Sequence, residues 1–190
     1  MSTELLGQRI WTDDELLDME DAKFWQLIDG ELYKMSPAGA EHGEICSRLL
    51  ITVGMHVRRR KLGRIYDSST GFRMSPENCF SADVSFVSKA RIAKVLPDPE
   101  KFVQGAPDFA IEVLSPRSTL RELERKIELF FQFGTRSAWL VLPRKRLVRV
   151  YTAAREFETL DSSGVLDPGP SLPGLKIPVR EVFEDPVFDA

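Results

Sequence analysis

The chain has 190 residues, of which 43% are hydrophobic and 29% charged, with a formal net charge of −3 and a pI near 5.6. These values predict one globular domain over residues 1–190, exclude a disordered chain and argue against a protein that coats nucleic acid non-specifically. Because no apolar run approaches roughly 18 residues and no signal-peptide pattern occurs, we expect a cytoplasmic protein without membrane contact.

The N-terminal region predicts a short helix and a β-hairpin. The segment Thr12–Leu17 has Thr12 at the N-cap and Glu15 three residues later, which is the spacing of a capping box. Within Phe24–Tyr33, the dipeptide Asp29-Gly30 separates two β-favouring runs and predicts a two-residue hairpin turn.

A long helix is predicted at His42–Lys61. Its apolar residues recur every four positions and form one stripe, which consists of Ile45, Leu49, Val53 and Val57. The basic run Arg58–Lys61 complements the helix dipole, and Gly63 is a natural residue to end the helix.

Extended segments are predicted at Arg64–Met74, Ala82–Ser88 and Phe109–Leu114, with a loop or short helix at Ala93–Gly105. The segment Phe109–Leu114 is an apolar run broken by one carboxylate. This pattern is typical of a central strand that is buried on both faces.

The C-terminal part predicts a second long helix at Thr119–Phe133, followed by two paired strands at Ala138–Leu142 and Leu147–Thr152 and a short element at Val179–Phe183. A capping box begins the helix, Gly134 ends it, and its buried stripe consists of Leu120, Leu123, Ile127 and Phe130. The order of elements predicts an α/β fold with a central mixed β-sheet flanked by helices.

Cysteine and histidine usage argues against a structural zinc site. Cys46 and Cys79 lie far apart, outside any CxxC motif, and the chain has only two histidines. Structural zinc normally takes four closely spaced Cys or His ligands. Disulfides are rare in the cytoplasm, so we expect both cysteines to be inert thiols.

Two carboxylates in predicted strands are the main candidates for chemistry. Glu112 lies between Ile111 and Val113, where an unpaired charge costs several kcal/mol, so it must be paired, protonated or metal-bound. Asp83 has a similar setting, although a salt bridge or a strand-capping role is an alternative. Two carboxylates on adjacent strands can point at one spot, which suits Mg²⁺ with water and phosphate as further ligands.

Lys126 and Glu31 are the other candidates. Lys126 lies at the border of its helix's buried stripe and could reach inward to steady an attacking water or a phosphorane. Glu31 follows the Asp29-Gly30 turn and could bind or orient a metal ligand. The alternatives are a solvated helix lysine and an ordinary turn-flanking acid.

Three basic features have weaker cases. His42 could face a phosphate from the start of its helix, although a local cap or surface role is favoured. The runs Arg58–Lys61 and Arg144–Arg146 could contact nucleic-acid phosphates, yet each also fits an exposed helix end or turn.

Several short motifs occur in order between about Trp11 and Phe183. They are LIDGEL (27–32), MSP (35–37), HG (42–43), TGFR (70–73), ADVSFV (82–87), GAPD (105–108), IEVLSP (111–116) and Lys126. This ordered set resembles the Uma2 (Uma-two) family, a group of bacterial domains of unknown function in the PD-(D/E)XK restriction-endonuclease-like superfamily. The resemblance places the core of the domain at about residues 11–183.

The resemblance implies a restriction-endonuclease-like fold and a set of site residues. Asp83 and Glu112 would match the first and second acids of the superfamily motif, and Glu31 the acid contributed ahead of it. Lys126 would take the place of the motif lysine, because Leu114 occupies that lysine's usual position.

Two functions are compatible with these residues. The first is a DNA endonuclease dependent on Mg²⁺ (or Mn²⁺), with Asp83 and Glu112 as metal ligands and with Glu31 and Lys126 as further catalytic residues. The alternative is a catalytically inactive nuclease fold that acts as a binding or assembly module, with a homodimer as one form. The acidic pI and the lack of a continuous basic face favour this alternative, whereas the complete acid–acid–lysine set favours the enzyme.

Overall fold

The structure, a computed structural model, describes residues 10–35, 37–96, 98 and 101–184. The helices are α1 (Asp13–Leu17), α2 (Ala40–Arg60), α3 (Lys89–Val95), α4 (Leu120–Gln132) and α5 (Val179–Phe183). The strands are β1 (Trp25–Ile28), β2 (Glu31–Lys34), β3 (Gly63–Asp67), β4 (Phe72–Ser75), β5 (Asn78–Phe80), β6 (Val84–Ser88), β7 (Val103–Gln104), β8 (Phe109–Val113), β9 (Ser137–Leu142), β10 (Leu147–Ala153), β11 (Glu156–Leu160), β12 (Val165–Leu166) and β13 (Ile177–Pro178).

The largest sheet has six strands in the order β11-β10-β9-β8-β6-β3. Strands β8 and β9 are parallel, whereas the other neighbouring pairs are antiparallel, so the predicted mixed sheet is confirmed. Strand β8 lies inside this sheet and all five of its residues are buried, as its apolar sequence predicted.

Helices α2 and α4 cover opposite faces of this sheet. The predicted apolar stripe of α2 is buried against the face that carries Ile111 and Trp139. On α4, the buried residues Leu123 and Ile127 pack with Ala110 on the other face. Because side chains alternate along a strand, Glu112, two positions after Ala110, also points toward α4.

Local sequence signals begin and end α4. Thr119 accepts a hydrogen bond from the backbone N–H of Glu122, whose side chain accepts from the N–H of Thr119, so the predicted capping box is present. Gly134 follows the helix with a φ of +105°, a conformation that L side chains rarely adopt.

A second sheet has the order β2-β1-β5-β4-β7. Its first two strands form the predicted hairpin, and Asp29 and Gly30 have φ angles of +52° and +77°, as a type I′ turn requires. Asp29 accepts two hydrogen bonds from the guanidinium of Arg125 on α4, at 2.8 and 2.9 Å, and thereby joins the hairpin to that helix. No described helix is long and apolar enough to cross a membrane.

The end of α2 differs from its predicted form. The left-handed residue is Lys61, with a φ of +54°, and not Gly63. Gly63 begins β3, where an added Cβ would collide with the backbone of β6 at Val87 and Ser88. Close approach of two strands, and not a helix cap, therefore accounts for this glycine.

We predict opposite effects for alanine at two glycines. Gly63→Ala should lower the free energy of unfolding by about 2–3 kcal/mol, because the added Cβ meets backbone that cannot move aside cheaply. Gly43→Ala, in α2 with open space around the added Cβ, should raise it by about 0.5–1 kcal/mol. Urea denaturation of both variants tests this, and equal effects at the two positions would contradict the strand-contact explanation.

Candidate active site

A cavity of about 850 Å³ opens where α2, the segment before β6, β8 and α4 meet. Among the residues that line it are three of the predicted site residues, namely Asp83, Glu112 and Lys126. His42 and Cys46 from the first turns of α2 also line it, as do Ser115 and Arg117 from the loop that follows β8.

Glu112 and Lys126 form an ion pair in the interior. Glu112 is 2% exposed and Lys126 is 4% exposed, and Lys126 Nζ lies 2.6 Å from Glu112 Oε1. The ammonium also lies 5.7 Å from the centre of the Phe80 ring. The lysine therefore points inward along its helix, as predicted, and neutralises a carboxylate that would otherwise be buried alone.

The pKa of Glu112 is raised from 4.5 to about 7. Burial is the largest cause, since removal from water disfavours the charged form. Lys126 opposes the rise through its charge, whereas the nearby Asp83 carboxylate adds to it. Glu112 is thus held between a cation that favours its ionised form and a second anion that disfavours it.

Asp83 lies opposite Glu112 across two neighbouring strands. It occupies the bend immediately before β6 and not the strand itself, which corrects the predicted strand boundary. The pairing of Val84 with Ile111 in antiparallel register places the preceding residue beside Glu112. Asp83 Oδ2 accepts a hydrogen bond of 2.7 Å from the N–H of Val113, which orients the carboxylate.

His42 contacts Asp83 from the first turn of α2. Its Nε2 lies 3.4 Å from Asp83 Oδ2, and the two side chains are 14% and 16% exposed. The hydrogen bond to Asp83 raises the pKa of His42, and burial opposes that rise. The structure therefore places His42 inside the candidate site, where the sequence favoured only a cap or surface role.

Cys46 lies one helical turn after His42. Its Sγ is 3.5 Å from His42 Nδ1 and 3.9 Å from His42 Nε2. Burial raises the pKa of the Cys46 thiol, and the carboxylates of Asp83 and Glu112 raise it further. The free thiol is therefore protonated at neutral pH and is a poor nucleophile.

Glu31 is not brought into this cavity. Its side chain is exposed on β2 and its Oε2 accepts a hydrogen bond of 3.0 Å from the Tyr33 hydroxyl. It is absent from the residues that line the cavity within the described chain. The catalytic role that the resemblance implied for Glu31 stays a prediction.

The same hairpin contributes a different residue, Gln26, which the sequence reasoning missed. Gln26 is 7% exposed, lines the cavity, and donates from Nε2 to Ser81 Oγ at 3.2 Å. Its Oε1 accepts no hydrogen bond from the described residues. The available signal was a polar side chain inside an apolar strand, which is the same signal that identified Glu112.

The two basic runs lie at opposite ends of the molecule. Because β9 is parallel to β8, with Val141 beside Val113, the exposed run Arg144–Arg146 follows at the same sheet end as the cavity. The run Arg58–Lys61 lies at the other end of the helix whose first turn contacts Asp83, with Arg58 roughly 24 Å from His42 and roughly 12 Å from Leu50, the last residue of α2 that lines the cavity.

Comparison with known proteins is consistent with this architecture. A model of the Uma2 family, described as “Putative restriction endonuclease”, matches residues 13–180. A solved structure described as “a putative nuclease belonging to DUF820 from Anabaena variabilis ATCC 29413” superposes with a TM-score of 0.79 at 21% identity, covering 90% of this chain and 97% of that chain. This likeness concerns the fold and confirms the restriction-endonuclease-like α/β architecture. No curated protein matches the chain.

The raised pKa of Glu112 predicts how stability depends on pH in the metal-free protein. Between pH 4.5 and about 7 the folded state holds a proton on Glu112 that the unfolded state releases. The stability that this carboxyl contributes is therefore complete below pH 4.5 and is lost as the pH rises through 7. We expect the free energy of unfolding of wild type, relative to Glu112→Gln, to fall by up to about 3 kcal/mol over this interval.

Urea denaturation at several pH values, with a chelator present, measures the difference in free energy of unfolding between wild type and Glu112→Gln. The glutamine variant serves as the reference because it keeps the shape of the side chain without the titrating proton. A difference that rises with pH over the same interval would contradict the prediction and would show that Lys126 keeps Glu112 ionised.

Proposed function

Because the chain belongs to the Uma2 family, we propose that it is a nuclease that hydrolyses DNA phosphodiester bonds with Mg²⁺ or Mn²⁺ at Asp83, Glu112 and Lys126. The observation that carries this proposal is the buried ion pair between Lys126 Nζ and Glu112 Oε1, which faces a solvent-connected cavity beside Asp83. A purely structural ion pair has no need of a second carboxylate or of access to solvent.

The two carboxylates fit a hard divalent cation. Asp83, in the bend before β6, and Glu112, on the adjacent strand β8, offer oxygen ligands, and their mutual repulsion contributes to the raised pKa of Glu112. A divalent cation between them would relieve this repulsion and favour the ionised form of Glu112. When bound there, the ion would polarise the phosphate and lower the pKa of an attacking water.

Lys126 supplies the fixed positive charge of the site. Its Nζ is held by Glu112 and by the surrounding helix and strand, so little reorganisation is needed when negative charge develops on a phosphorane. Asp83 accepts a hydrogen bond from the N–H of Val113 and contacts His42 Nε2. The charged groups are therefore preorganised before DNA arrives.

The position of the basic runs supports an approach of DNA from one direction. Arg144–Arg146 is exposed beside the cavity end of the sheet, where cations can bind phosphates that flank the scissile bond. The run Arg58–Lys61 is as basic but lies far from that end. The net charge of −3 therefore does not describe the local charge beside the cavity.

We predict that Glu112→Gln and Lys126→Met each lower Mg²⁺- or Mn²⁺-dependent DNA cleavage by at least about 100-fold, as expected for loss of a preorganised charge at the reacting phosphate. Single-stranded, duplex and branched DNA should be tested with the purified chain. Glu124→Gln is the matched control, because Glu124 lies on the same helix as Lys126 but pairs with Arg149 outside the cavity.

Melting curves without metal establish that each variant is folded before its activity is compared. Equal cleavage by wild type and Glu112→Gln would show that the assigned centre is wrong. Absence of cleavage by wild type on every substrate, with no shift of its melting temperature by Mg²⁺ or Mn²⁺, would instead favour a non-catalytic binding module.

A second prediction concerns DNA binding. The double variant Arg144→Ala/Lys145→Ala should weaken DNA binding and reduce the slope of log K against log salt by about two, because each lost phosphate contact removes about one unit. The matched double variant Arg58→Ala/Arg59→Ala removes two exposed cations from the far end of α2 and should leave both quantities nearly unchanged. Fluorescence anisotropy across a salt series measures them, and equal effects of the two variants would contradict the assigned DNA-binding face.

A further inference from the structure

The cavity contains a second set of donor atoms, which differs chemically from the two carboxylates. His42, Cys46 and Asp83 offer an imidazole nitrogen, a sulfur and a carboxylate oxygen, and these atoms lie within 4.8 Å of one another. All three side chains are half-buried and line the cavity.

The helix itself brings two of these donors together. Residues four apart on a helix lie on the same face, one turn apart, which places Cys46 beside His42. Helical zinc motifs use this spacing for two histidines. Asp83 reaches the same point from the bend before β6, so its position depends on the packing of α2 against the sheet.

Two of the three donor separations are close to those of a tetrahedral zinc site, and the third, from Cys46 Sγ to the Asp83 carboxylate, is at most 4.8 Å. With zinc–sulfur bonds of about 2.3 Å and zinc–nitrogen or zinc–oxygen bonds of about 2.0–2.1 Å, sulfur and nitrogen lie about 3.5 Å apart and nitrogen and oxygen about 3.4 Å apart. In the structure, Cys46 Sγ is 3.9 Å from His42 Nε2, and His42 Nε2 is 3.4 Å from Asp83 Oδ2. Cys46 Sγ also lies 3.5 Å from His42 Nδ1 and therefore beside the imidazole ring, so a rotation of the Cys46 or His42 side chain is needed to bring sulfur next to a zinc ion at Nε2.

We propose that His42 Nε2, Cys46 Sγ and Asp83 bind Zn²⁺, with a fourth coordination position open to the cavity. Sulfur and imidazole ligands favour zinc over magnesium, which prefers oxygen ligands alone. The site has three protein ligands and so differs from the four-ligand structural zinc that the sequence argued against.

Zinc binding would release the proton of the Cys46 thiol to the solvent and leave a thiolate ligand. Asp83 is common to this donor set and to the magnesium site, so zinc would compete with magnesium for it. That competition rests on the proposed nuclease function, whereas zinc binding does not.

The chain offers a matched control for each soft ligand. Cys79, the only other cysteine, is buried in β5 with Leu27 and Leu32, away from the cavity. His56, the only other histidine, lies on the same helix as His42, but its Nε2 is 3.2 Å from the carbonyl oxygen of Pro173. Neither lines the cavity within the described chain.

Cobalt titration of the metal-free protein, without Mg²⁺ and without DNA, tests the proposal. Co²⁺ replaces Zn²⁺ as a spectroscopic probe, and a thiolate ligand gives it a near-ultraviolet charge-transfer absorption. The absorption should appear in wild type, Cys79→Ala and His56→Ala and should saturate at one Co²⁺ per chain. Addition of Zn²⁺ should abolish it. Cys46→Ser should lose the absorption, and His42→Ala should bind Co²⁺ at least tenfold more weakly.

Several outcomes would overturn the proposal: no saturable absorption in wild type, an absorption that survives Cys46→Ser, or equal losses in the Cys79 and Cys46 variants. If Cys46→Ser does not fold, the Co²⁺ affinities of His42→Ala and His56→Ala, measured by the same titration, decide the question. Because the readout is metal absorption and not DNA cleavage, an inactive nuclease would leave the result unchanged.

Discussion

The buried ion pair between Glu112 on β8 and Lys126 on α4 is the interaction on which the rest of the site depends. Removing one partner of such a pair typically costs about 3–5 kcal/mol, because the other charge is left uncompensated in the interior. The helix must therefore lie against the sheet at the one register that brings Nζ within 2.6 Å of Oε1. The capping box at Thr119 fixes where α4 begins, and the contact of Arg125 with Asp29 joins α4 to the hairpin.

A buried carboxylate does not by itself mark a functional site in this protein. Asp13 and Asp108 are also fully buried, and both pair with arginines, namely Arg73 for the first and Arg91 and Arg136 for the second. Asp108 also accepts a hydrogen bond from the N–H of Ser88 and so ties two strands together. What distinguishes Glu112 is a lysine partner, a second carboxylate across the strands, and contact with a cavity.

Asp83 is the residue that links the two proposed metal sites. Strand pairing places it beside Glu112, and the packing of α2 places it beside His42 and Cys46. Glu112 offers an oxygen donor beside this carboxylate, and His42 and Cys46 offer a nitrogen and a sulfur donor. The identity of the bound ion would therefore decide which neighbouring side chains coordinate it together with Asp83.

Local sequence patterns predicted the two long helices with their buried stripes, the Asp29-Gly30 hairpin, the buried strand at Phe109–Val113 and the need for a partner for Glu112. These follow from capping, turn chemistry and periodicity, which act within a few residues. The cavity position of Gln26, the exclusion of Glu31 and the meeting of His42 and Cys46 with Asp83 were decided only by the tertiary structure. They depend on strand register and on helix–sheet packing between distant segments, and neither is encoded in the local pattern of any one segment.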